Sequence, residues 1–316
     1  MKIVVLDGHT LNPGDLDWSS LAALGELSVY EHTMAADIIN RSKDADIILT
    51  NKAVIDAEVI SQCPQLKYIG VTATGTNVVD IAAANAQQIV VTNVPAYGPD
   101  AVAQMVFALI LQHTQQVDLH DKAVKQGQWS QSRDFCFTLS SLVSLKGKTM
   151  GIVGYGDIGQ QVARLALAFN MQVLITTSTA KTALPEGVKW QPLEQLLSQS
   201  DIVSLHCPLN QVTDSMINAQ SLELFKPNAL LVNTARGGLV DEAALADALN
   251  DNRLSAALDV LSSEPPTADN PLLAAKNTII TPHIAWATIE ARQNLLNIAV
   301  DNVAQFLNNT PSNQVN

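Results

Sequence analysis

Arg236, Asp259, Glu264 and His283 each stand just after a short apolar run: "ALLVNTA" before the arginine, "SAAL" before the two acids and "NTIITP" before the histidine. If those runs are parallel strands, the four side chains gather at carboxyl ends, where ligands of open α/β sheets bind. A guanidinium there can hold a carboxylate through two parallel hydrogen bonds and polarise an adjacent carbonyl. A carboxylate beside an imidazole fixes the ring's tautomer and favours its protonated form, which makes a proton donor suited to work near neutrality. The plainer readings are a surface ion pair for Arg236 and an isolated structural histidine for His283. Asp241 and Glu242 read as first-turn acids that cap the next helix. The remaining histidines, His9, His32, His113, His120 and His206, have no comparable company in the sequence, and His206 reads as structural.

A second group handles anions. Gly154, Gly156 and Gly159 form G-x-G-x-x-G in "GIVGYGDIGQ", after one apolar run and at the opening of a helical pattern. Such glycines allow a tight turn, close approach of backbone to a pyrophosphate, and close helix–strand packing, with the helix N-terminus favouring the anion. The plainer reading is a structural turn. In units of this kind an acid about 20 residues further on grips the adenosine ribose. Here "VLITTSTAK" offers Thr176, Thr177, Ser178, Thr179 and Lys181 instead. Without the acid, a ribose 2′-phosphate meets no repulsion, so NAD(P)(H) is expected with NADPH at least tolerated. No arginine stands in the stretch to clamp that phosphate, and the threonines also read simply as a strand end. Earlier in the chain, "TATGTNVVD" is a small-residue loop after a strand; its N–H groups can bind a carboxylate. It reads equally as a plain turn with Asn77 or Asp80 near the helix cap.

These groups need a scaffold. "KIVVLD", "LSVYEH", "DIILT", "LKYIGVT" and "QIVVTN" read as buried strands, with helices around 16–25, 35–42, 56–62 and 80–87 between them. A second series of six runs begins at "KTMGIVGYG" and ends at "NTIITP". This alternation predicts α/β architecture with two doubly wound parallel sheets. One long helix over roughly 100–125 precedes the second series, and "TIEARQNLLNIAVDNVAQFLNN" follows it. The expected arrangement is a Rossmann cofactor domain at 100–283 inserted into a flavodoxin-like substrate domain at 1–99 and 284–316, with the ligand between two sheets.

Composition narrows the function class. The 316 residues are 47% hydrophobic and 15% charged, which suits globular domains. A net charge of -12 argues against nucleic acid as a partner. No apolar run reaches the length of a membrane span, and "MKIVVLDGHT" reads as a first strand, not a signal peptide. The three cysteines, Cys63, Cys136 and Cys207, are too scattered for a disulfide framework or a CxxC metal site, so no metal is expected and the cytoplasm is the expected compartment.

The motifs "GYGDIG", "NTARGGLVDE", "ALDV…EPP…NPLL" and "TPHI" together resemble those of the D-2-hydroxyacid dehydrogenases, over essentially the full chain. "GQWSQSRDFCFT" and "TPHIAWAT" are similar to the glycerate dehydrogenase (hydroxypyruvate reductase) branch. The resemblance implies hydride transfer between NAD(P)H and a small 2-oxo or 2-hydroxy acid, with hydroxypyruvate or glyoxylate going to D-glycerate or glycolate. It assigns catalysis to Arg236, Glu264 and His283. Cofactor binding falls on Gly154, Gly156, Asp157, Ile158, Gly159, Thr176, Thr177, Ser178, Cys207, Pro208, Thr234, Ala235, Asp259, His283 and Ala285. Substrate binding falls on Ala73, Thr74, Gly75, Arg236 and Trp286, the tryptophan narrowing the pocket. The family's ribose-binding acid falls on Thr177. A homodimer is implied, built through the long helix and an arm over 127–145, with Trp129, Phe135 and Phe137 as its apolar contacts. Two alternatives stay open: a dehydrogenase of this fold for another D-2-hydroxy acid, and a non-enzymatic, dinucleotide-sensing corepressor-like scaffold.

Overall fold

A computed structural model describes all residues, 1–316. It divides into two compact units, residues 1–98 with 287–316 and residues 99–286, so the second is inserted in sequence within the first.

The first unit is built on β1 (Lys2–Val5), β2 (Glu26–Val29), β3 (Ile47–Thr50), β4 (Tyr68–Val71) and β5 (Val90–Thr92), ordered β2-β1-β3-β4-β5. Every pairing is parallel. Central strands such as "IILT" and "YIGV" are buried along their whole length, as a sheet covered on both faces requires. The helix Ile289–Leu307 returns to this unit and buries Leu295, Ala299 and Val303; its Phe306 ring lies 4.8 Å from that of Tyr68. Arg292, only 7% exposed, anchors its first turn by gripping Asp15 with both terminal nitrogens (2.7 and 2.6 Å).

The second unit holds β6 (Thr149–Val153), β7 (Gln172–Thr176), β8 (Val188–Trp190), β9 (Ile202–Leu205), β10 (Ala229–Asn233), β11 (Leu254–Leu258) and β12 (Thr278–Ile280). Their order, β12-β11-β10-β9-β6-β7-β8, is a doubly wound parallel sheet with its switch point beside β6. The sheet has seven strands where the sequence predicts six. The extra one, β8, is three residues long with Lys189 exposed at its centre, too short for a periodic signal.

The helix expected over 100–125 is two helices, Pro99–Gln115 and Val117–Lys125. Gln116 sits in the left-handed region (φ 44°), which an α-helix of L-residues cannot continue through. Residues 127–145 contain no regular helix or strand.

Two histidines depart from their sequence reading. His9 and His32 do have company: their rings lie 4.8 Å apart, and Glu31 joins them. Parallel pairing of β1 with β2 continues past the strands through Gly8 N to Tyr30 O (2.8 Å) and His9 N to Glu31 O (3.2 Å), a proximity that no local spacing announces.

Candidate active site

The glycine turn links β6 to the helix Asp157–Ala168. Gly154 has φ +95°, and a Cβ there would lie 2.6 Å from the His206 carbonyl. A Cβ on Gly159 would strike the Gly154 carbonyl oxygen, so close packing excludes a side chain at both positions. Gly156 faces open space and caps the helix with no side-chain bond, leaving the first N–H groups, from Asp157, Ile158 and Gly159, for an anion.

Around this turn, Gly154 N donates to Thr176 O (2.9 Å) and His206 N to Val153 O (2.7 Å), which fixes the ends of β7 and β9. Cys207 Sγ contacts Met216 Sδ at 3.7 Å, and Pro208 O accepts from Thr213 Oγ1 at 2.7 Å. Thr234 Oγ1 is buried and has no hydrogen-bond partner. An orphaned hydroxyl, an uncapped helix end and glycines that a Cβ would overfill together fit a dinucleotide. At the far end Thr177 Oγ1 donates to Thr179 O (2.6 Å), while Ser178 and Lys181 are exposed.

Three neighbouring strands, β10, β11 and β12, deliver the other residues at their carboxyl ends. Asn233, 1% exposed, accepts from Ala235 N (3.0 Å) and donates to Arg236 O (2.8 Å), which turns the chain sharply before Arg236. The guanidinium is exposed, donates to Ala235 O (2.6 Å) and pairs with no carboxylate of the chain, which sets aside the surface ion pair. Gly237 packs so closely on Leu261 and Ser262 that a Cβ would strike their backbone, so the Arg236 turn and the loop carrying Glu264 are seated on each other.

Glu264 Oε2 meets His283 Nδ1 at 2.6 Å, and each side chain is 33% exposed. Leu261 N donates to Glu264 Oε1 (3.2 Å). His283 adopts φ +55°, a conformation rare outside glycine. It is held there by Asp259, 1% exposed, which accepts from Thr281 Oγ1 (2.5 Å), Ile284 N (3.0 Å) and Ala285 N (2.8 Å). Trp286 Nε1 closes the turn onto His283 O at 3.0 Å. The carboxylate of Asp259 is thus committed to shaping the histidine loop.

Asp241 caps its helix through Ala243 N and Ala244 N. Glu242 does not share that role. It accepts from Ser262 N (2.6 Å) and Asn270 Nδ2 (2.8 Å), bracing the Glu264 loop. Asn233 and Glu242 are positioning residues that the sequence reading missed. Only an Asx turn at the end of "LLVN" signals the first, and nothing local signals the second.

In the first unit, Ala73 O accepts from Val94 N (3.0 Å), Thr74 Oγ1 donates to Val94 O (3.1 Å) and Thr74 O accepts from Asn93 Nδ2 (2.7 Å). The loop is braced, yet the N–H groups of Ala73, Thr74 and Gly75 have no acceptor within the chain. That is the condition for binding a carboxylate.

A family model described as "D-isomer specific 2-hydroxyacid dehydrogenase, NAD binding domain" matches residues 107–285. A hydroxypyruvate reductase from Blautia hydrogenotrophica is 47% identical over 321 residues, covering all of both chains. A glycerate dehydrogenase from Methylorubrum extorquens is 40% identical over 318 residues, covering 99% of this chain and 98% of that one. Among solved structures, an acyclic imino acid reductase in complex with NADPH and D-Arg matches with a TM-score of 0.86 at 30% identity, over all of both chains.

His206 yields a stability prediction. Desolvation pushes the half-buried His206 imidazole down from 6.5 to about 3, and its Nε2 is bonded to Ser204 Oγ at 2.8 Å. The unfolded chain therefore takes up a proton below pH 6.5 that the folded chain refuses until about 3, so stability falls as pH drops through that window. Urea midpoints measured across it should fall less steeply for a folded His206→Asn variant. Equal slopes would show that His206 does not contribute.

Proposed function

We infer that this chain, which belongs to the D-isomer specific 2-hydroxyacid dehydrogenase family, reduces hydroxypyruvate to D-glycerate, and glyoxylate to glycolate, with NAD(P)H. The observation that carries the reading is the Glu264–His283 pair beside an arginine that no carboxylate of the chain neutralises. A bound nicotinamide supplies the hydride for C2 of the substrate. Arg236 holds the substrate carboxylate and polarises the C2 carbonyl. Glu264 occupies Nδ1 of His283, so the proton for the C2 oxygen leaves from Nε2. In the opposite direction the same nitrogen accepts it. Trp286 limits the bulk of the group on C2.

The cofactor residues are those around the glycine turn, together with Thr234, Ala235 and Ala285 near the reacting end. With no acid at Thr177, NADPH is used at least as well as NADH, through Ser178, Thr179 and Lys181. The enzyme works as a cytoplasmic homodimer. Supporting the dimer, Trp129, Phe135, Leu139 and Leu142 are exposed apolar residues, 52%, 89%, 43% and 49% accessible. An open apolar groove of about 440 Å³ also lies between Phe107, Leu111, Leu165 and Phe169. Supporting the compartment, the three cysteines are free. No helix is long and apolar enough to cross a membrane.

The test is turnover of a panel of 2-oxo acids with both cofactors. Hydroxypyruvate should exceed pyruvate and branched acids in kcat/KM, because a site that hydrogen-bonds the C3 hydroxyl rejects analogues without it. A branched acid in first place would sink the substrate assignment, and no turnover of any acid would point to the scaffold alternative. Thr177→Asp should swing the cofactor ratio towards NADH by roughly tenfold or more, the scale of one charged hydrogen bond of about 1.5–3 kcal/mol. Strict NADH dependence of the wild type, unaltered by this change, would remove Thr177 from cofactor choice.

Arg236→Lys keeps the charge and loses the two-pronged geometry. It should lower kcat/KM by about 100-fold or more in a folded enzyme. A near-normal value would take Arg236 out of the mechanism.

A further inference from the structure

We propose that His9, Glu31 and His32 form a surface site for one divalent transition-metal ion, Zn²⁺ being the best match, which clips the exit of β2 to that of β1. One donor atom from each residue lies within 4.8 Å of the other two. Two imidazoles and one carboxylate form a borderline donor set that suits Zn²⁺, Ni²⁺ or Cu²⁺ and disfavours Mg²⁺ and Ca²⁺, which demand oxygen ligands. Two donors on one tetrahedral Zn²⁺, each about 2.1 Å from the metal, stand about 3.4 Å apart. The required closure is about 1.4 Å at most, within reach of a χ rotation in an exposed side chain.

The backbone beneath the three donors is already fixed. Gly8 N and His9 N bond to Tyr30 O and Glu31 O. Arg41 donates from one side to His32 O (2.7 Å) and Thr33 Oγ1 (2.7 Å) while lying 4.2 Å over the Tyr30 ring. The side chains above are uncommitted: the two rings lie 4.8 Å apart, and neither imidazole nor the Glu31 carboxylate has a hydrogen-bond or ion-pair partner. The net charge of -12 adds a general attraction for cations.

The position gives the ion a role. β2 is an edge strand of four residues with no fully buried side chain. Little apolar burial holds it to β1, so a shared cation across the two exits supplies a tether that packing does not.

The experiment uses the full-length chain without an affinity tag, stripped of metal and titrated with ZnCl₂ by calorimetry. One site should bind in the wild type and in His283→Gln, which removes the other exposed histidine–carboxylate pair. His9→Ala/His32→Ala should weaken it at least tenfold with the circular dichroism unchanged. In the wild type, Zn²⁺ should slow hydrogen exchange of the Glu26–Glu31 amides and protect His9 and His32 from diethyl pyrocarbonate. Binding of equal affinity in the double variant would overturn the proposal. So would protection confined to other histidines, or no site tighter than about 1 mM. Failure of this site would leave the dehydrogenase reading untouched, since none of its residues takes part there.

Discussion

The arrangement at the second unit's carboxyl edge hangs on the buried carboxylate of Asp259. A charge at 1% exposure is costly unless it is fully hydrogen-bonded, and here its bonds all run to one loop, at Thr281, Ile284 and Ala285. Those bonds force the intervening His283 into the left-handed region and carry its ring to Glu264. Strain at one residue is thereby held by a site that cannot relax without stranding a buried anion. The histidine is presented by electrostatics more than by packing.

Everything else in the site follows from parallel strand ends brought side by side. β10, β11 and β12 are consecutive neighbours, so the Arg236 turn, the Glu264 loop and the His283 loop emerge in a row. Gly237 lets the first two touch, and Glu242 braces the second from behind. Around the switch point itself, β6, β7 and β9 supply the glycine turn and its surroundings. One sheet thus places the glycine turn and the Glu264–His283 pair at its carboxyl edge, where ligands of doubly wound folds bind.

Much of this was legible in the sequence. Long apolar runs such as "ALLVN" and "IILT" mark fully buried strands, and the glycine spacing marks the β6 turn whatever surrounds it. The candidate residues Arg236, Asp259, Glu264 and His283 could be singled out because each stands in the loop that follows such a run. Contacts between distant segments were not. Glu242 looks like a cap because its local position is a cap position; its engagement with Ser262 and Asn270 depends on tertiary packing. Gln116 breaks a helix with no glycine or proline to announce it. His9 and His32 follow the ends of different strands, and only the parallel pairing of β1 with β2 joins them.

Glu264 is proposed to act through His283, and a double-mutant cycle on kcat for hydroxypyruvate reduction tests that most directly. His283→Gln should lower kcat by about 10²–10⁴-fold, the usual contribution of a positioned acid. Glu264→Gln should be damaging in the wild-type background and nearly without effect once His283 is replaced, since a carboxylate that works through the imidazole has nothing left to act on. Equal fold-losses for Glu264→Gln in both backgrounds would contradict the account and assign the two residues independent roles.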